Sequence, residues 1–130
     1  MRRFVRLTMI ATILIAAAVS GVRSPGAADR FLSGIDDLPL MPGLEEQADA
    51  AMVFDTPAGR IVEAGAAGPV EPTSVRAFYR RTLPQLGWRN AGPDTFRREG
   101  EVLRFEVTGH GTHGTAVRFE LAPAATKPGR

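Results

Sequence analysis

Between Ala51 and Ala122 the spacing of apolar residues changes twice, and each change marks a new kind of element. Met52, Val53 and Phe54 form a short apolar run. Thr56-Pro57-Ala58-Gly59 follows with proline second and glycine fourth, the order of a type I turn, so Arg60 to Ala67 is expected to return as a second strand. After Gly68-Pro69 the period lengthens. Val75, Phe78, Tyr79, Thr82, Leu83 and Leu86 recur at three and four residues, which predicts one amphipathic helix with Pro72 in its first position. Arg76, Arg80 and Gln85 fall on its water-facing side. Pro84 has no N–H to bond the carbonyl of Arg80, so the last turn is expected to kink; Gly87 is placed to end the helix and Trp88 to pack back.

Period two then resumes. Thr95 to Glu99 reads as a strand, followed by a tight turn at Gly100-Glu101. Val102 to Thr108 sets Leu103, Phe105 and Val107 on one face and Arg104 and Glu106 on the other. A glycine-rich loop from Gly109 to Gly114 leads to a last strand with Val117, Phe119 and Leu121 inward and Arg118 and Glu120 outward. The element order ββαβββ predicts an α+β fold: a five-stranded antiparallel sheet with the helix on one face and a charged, solvated face opposite. Phe96, Phe105 and Phe119 all fall inward, which argues against an exposed aromatic platform for sugars or nucleic acid.

Two segments flank this domain of residues 51–122. Residues 123–130 form a polar tail expected to be disordered. Residues 29–50 form an arm that Pro39 and Pro42 hold extended. Its large apolar groups need cover, since burying each contributes ~1.5 to 3 kcal/mol relative to exposure. The arm either folds back on the edge or face of its own sheet or docks on another protein as an added strand. Leu38, Pro39, Leu40, Met41, Pro42 and Leu44 are therefore the candidate docking residues, with an envelope protein or a second copy of the chain as the partner.

Ahead of the arm, Arg2, Arg3 and Arg6 precede the uncharged run Leu7 to Val19 and the small residues Ser20 and Gly21, the layout of a secretory signal. The run spans roughly 20 Å as a helix, short of the roughly 30 Å hydrocarbon core. Residues 1–28 thus read as a signal peptide, cleaved after Ser20 or Ala28, which implies a periplasmic or secreted product with no membrane insertion after cleavage. Charge follows from this. The precursor holds 16 basic and 14 acidic residues; losing Arg2, Arg3, Arg6 and Arg23 with the leader leaves a formal net charge of −2. Such a surface offers little attraction to nucleic acid or anionic lipid. Cysteine is absent, so no disulfide braces the small core and no thiol accepts a lipid anchor.

Candidate chemistry is sparse. His110 and His113 lie three apart in the glycine-rich loop and supply two zinc ligands if a carboxylate joins them, giving a small metal-dependent hydrolase as the alternative reading. Two ligands do not close a site, and no Ser, Thr or carboxylate is tied to either histidine by a motif. Asp36, Asp37, Glu45, Glu46 and Asp49 lack the alternating oxygen ligands and central glycine of a calcium loop. Gly109, Gly111 and Gly114 precede a strand, so no helix N-terminus follows to receive a phosphate. No cofactor is implied.

Phe78-Tyr79, Leu83-Pro84 and Leu86-Gly87-Trp88, with Phe96-Arg97-Arg98-Glu99-Gly100 downstream, resemble a pattern in small uncharacterised exported proteins of Gram-negative bacteria, where an FY helix leads through LPxLGW into a β-meander. Phe54 to Ala64 and Leu38 to Leu44 share that likeness. The resemblance implies a compact α+β fold and carries over no catalytic residue. The reading that results is a non-enzymatic accessory or protein-interaction module.

Overall fold

The alternation seen along the chain becomes layers across a sheet. The computed structural model describes residues 30–109 and 114–125. Its strands are β1 (Glu45–Glu46), β2 (Met52–Thr56), β3 (Gly59–Gly68), β4 (Arg89–Gly92), β5 (Thr95–Arg98), β6 (Glu101–Gly109) and β7 (Thr115–Pro123), with helix α1 at Pro72–Gln85 between β3 and β4. All pairings are antiparallel, in the order β3-β7-β6-β5-β4, and β1 and β2 share the remaining side of β3.

Registered rows build the core. Val62, Leu121, Leu103 and Phe96 lie side by side on successive strands, as do Ala64, Phe119 and Phe105, and Ala66, Val117 and Val107. Every one of these side chains is buried. Helix α1 covers this face with Val75, Tyr79 and Leu83, while Phe78 and Leu86 are half-buried against it.

Periodicity predicts five strands; among the described residues the sheet has seven. Both additions are short and polar, so neither announces itself by alternation. β1 lies within the expected arm and pairs Glu45 and Glu46 with Ala67 and Ala66. β4 reads Arg-Asn-Ala-Gly and becomes a strand because β5 offers it a partner. The β5–β6 turn is Glu99-Gly100, one residue earlier than expected; both take positive φ and Arg98 pairs with Glu101. β7 runs on to Pro123, and the N–H of Ala124 donates to Gly100 O at 2.7 Å, so the sheet extends into the expected tail.

The end of α1 shows why Leu-Pro-Gln-Leu-Gly-Trp folds as it does. Trp88 N–H donates to Leu83 O at 3.1 Å and Gly87 N–H to Pro84 O at 3.2 Å, with Gly87 at φ +86°. This is a Schellman motif, in which glycine takes the left-handed position without a Cβ clash and the following apolar residue folds back onto the helix. Trp88 is buried there, and the Arg98 guanidinium lies 4.5 Å over its ring while donating to Leu86 O. Arg76 and Arg80 are not simply water-facing: both bond the Asp94 carboxylate, at 3.2 and 3.0 Å, and clamp α1 to the β4–β5 turn.

Candidate interaction surface

The candidate docking residues of the arm separate by depth. Leu38, Leu40 and Leu44 are buried in the chain's own core together with Leu32 and Ile35. Met41 and Pro39 are half-buried, and Pro42 is exposed. The arm closes on itself through a Phe31–Pro39 bridge and then runs over β3, with Gly34 against Val62 and Gly43 against Val70. Small residues make room for it: beyond Val62, Ala64 and Ala66 occupy the buried positions on the covered face of β3, and at Gly68 a Cβ would collide with the Gly43 carbonyl.

One polar group anchors this arrangement. The Tyr79 hydroxyl donates to Pro39 O at 3.0 Å and accepts the Met41 N–H at 3.3 Å, so the helix holds the arm by two backbone groups. Burial disfavours the phenolate and pushes the Tyr79 pKa up to about 12, partly offset by the Met41 bond. His110 and His113 lie outside the described residues. Among the described residues, no group of three or more His, Cys, Asp or Glu gathers around one point, and no helix is long and apolar enough to cross a membrane.

On the uncovered face, Arg104 stands opposite Glu120 and Glu106 opposite Arg118, as their alternation suggested. Arg118 also reaches across to Glu63 at 2.8 Å. These exposed pairs contribute well under ~1 kcal/mol each and orient side chains more than they hold the fold. Beside them Gly65, Ala67 and Ala116 floor a shallow trough of about 580 Å³, walled by Ala50 and Met52 on one side and Thr108 on the other.

What sequence reasoning passed over is the exposure of β2. Met52, Val53 and Phe54 are 50%, 54% and 48% exposed, three consecutive large apolar side chains on both faces of an edge strand. Val53 stands beside Val62 on the covered side and Phe54 beside Ile61 on the uncovered side, and each keeps about half of its surface open. The signal was present in the sequence: an apolar triplet without alternation belongs to a strand buried on both faces, and here neither face is fully covered.

The two sheet edges are unlike. At β4, exposed Arg89 and Asn90, a register shift between Asn90 and Gly92, and Pro93 immediately after blunt the edge against further pairing. β2 has no bulge, no basic residue and no proline within it, and Asp55 is its single charge. Comparison with protein-family models, curated proteins and solved structures found no match.

Proposed function

We propose that this chain is an exported, non-enzymatic accessory protein of the bacterial envelope whose task is protein interaction, with the open β2 edge as its contact surface. The observation that carries this reading is the Met52-Val53-Phe54 triplet, half-exposed on an edge strand that has neither the bulge nor the basic side chain of the opposite edge. An exposed strand edge offers unpaired N–H and C=O groups for an added strand, and flanking apolar side chains supply affinity as they are covered. The basic, apolar and small order of the leader supports delivery to the periplasm.

The arm takes a supporting part in this reading. With Leu38, Leu40 and Leu44 already buried, contact falls to β2 instead of the arm.

The test uses the tagged full chain expressed in a Gram-negative host. The mature protein is expected in the periplasmic fraction with its N-terminus after Ser20 or Ala28, and cross-linking in the envelope is expected to give adducts through the β2 hairpin that Phe54→Lys abolishes. Adducts unchanged by Phe54→Lys, or a full-length chain retained in the cytoplasm, would refute the proposal.

A further inference from the structure

The hydrogen-bond parity of β2 says which strand fits beside it. Thr56 and Gly59 pair directly across the two-residue turn Pro57-Ala58, so they form a hydrogen-bonded pair, and such pairs alternate along an antiparallel ladder. Thr56, Phe54 and Met52 therefore direct their backbone groups towards β3. Val53 and Asp55 direct theirs away from the sheet. Beyond them the edge closes: the Ala51 N–H is bonded to Ala48 O at 3.4 Å, and Pro57 has no N–H. The open edge thus consists of two residues placed symmetrically about Phe54.

From this symmetry, and resting on the interaction reading above, we infer that the occupant of the β2 edge is a second copy of this chain, paired antiparallel about a two-fold axis at Phe54. Val53 of each copy then faces Asp55 of the other. Four hydrogen bonds form, and every outward N–H and C=O of Val53 and Asp55 is used. The competing registers are poorer. An axis at Asp55 sets two carboxylates directly opposite, which is unfavourable. An axis at Val53 brings Asp55 against Ala51, whose N–H is already engaged.

Side chains agree with the backbone. In the Phe54 register the two phenyl rings meet on the uncovered face as a non-hydrogen-bonded pair, where side chains stand closest. Met52 comes beside Thr56 of the second copy, next to the wall of the trough. The interface is isologous, as a two-fold dimer requires, and it covers the apolar triplet of both copies at once.

Sedimentation equilibrium of the mature chain tests the inference. The wild type is expected to associate to a dimer, and Val53→Pro to remain monomeric with unchanged circular dichroism and melting, because the N–H that proline removes points outward and not into the β3 ladder. Register is read by charge. Val53→Arg faces Asp55 of the second copy and Val53→Glu repels it, so the arginine variant is expected to dimerise about 2- to 30-fold more tightly, the ratio given by two cross-strand pairs of ~0.2 to 1 kcal/mol each. Equal affinity of these two variants overturns the register, and a wild type that stays monomeric up to its solubility limit overturns the dimer. A monomer whose envelope adducts still vanish in Phe54→Lys overturns self-pairing alone and leaves the interaction reading in place.

Discussion

Tyr79 shows how much one residue carries in a core this small. Its ring packs edge-on against Phe119 and Phe78 at 5.1 and 5.0 Å, and its hydroxyl satisfies one carbonyl and one amide of the arm. Tyr79→Phe keeps the ring and strands both backbone groups in an apolar setting, a loss of about 1–3 kcal/mol measurable by thermal or urea denaturation. The same residue sets an alkaline limit. The protonated phenol is favoured in the folded chain, so its contribution is complete below pH 10, the ordinary value, and is lost as pH rises towards about 12. The loss amounts to about 3 kcal/mol once both forms are ionised. Tyr79 is the single tyrosine of the chain, so phenolate absorbance reports it alone. Titration of the folded protein near pH 10, or an alkaline stability profile unchanged in Tyr79→Phe, would contradict this account.

Among the elements, the arm is where local sequence and tertiary structure divide the work. Prolines and glycines keep residues 30–44 of the arm out of regular helix and strand, yet its leucines recur at no regular period, so their common burial comes from the path of the loop. That path is held by Leu32 N–H to Leu38 O at 2.9 Å and Leu40 N–H to Arg30 O at 2.6 Å. Leu38→Ala is expected to destabilise the protein by about 2–5 kcal/mol, as deletion of a fully buried leucine does. Phe31→Ala, one turn of the same loop away but 54% exposed, is expected to change stability by less than about 0.5 kcal/mol. Two similar values in urea denaturation would mean that the arm does not lie on the sheet. The helix exit is the opposite case: Gly87 and Trp88 disclose the Schellman motif from sequence, because its geometry is local.

For the whole molecule, the arm is part of the core and not an appendage. Five buried arm side chains at ~1.5 to 3 kcal/mol each give a gross contribution of the same order as the entire net stability of a small domain, about 5–15 kcal/mol. A chain that starts after Leu44 is expected to lose its cooperative thermal transition, since Val62, Ala64 and Tyr79 would face water. A sharp melt in that truncation would show that residues 51–122 stand alone. Docking through the arm and stability of the domain are therefore coupled, whereas β2 can meet a partner without disturbing the core.

The sequence by itself determined the helix, the long strands and their inward faces, because period 3.6 and period 2 are properties of neighbouring residues. It also supplied the mixed-charge face, since Arg and Glu alternate within each strand. Only the tertiary structure decided that Glu45–Glu46 and Arg89–Gly92 become strands, that the arm lies over β3, and that Arg76 and Arg80 clamp Asp94. It decided too that Met52, Val53 and Phe54 stay half-exposed. Arg89–Gly92 pairs with its neighbour in the chain but carries no alternation to announce it; the others depend on which distant segment arrives alongside, and contacts across long chain separations leave no period in the sequence for a local reading to find.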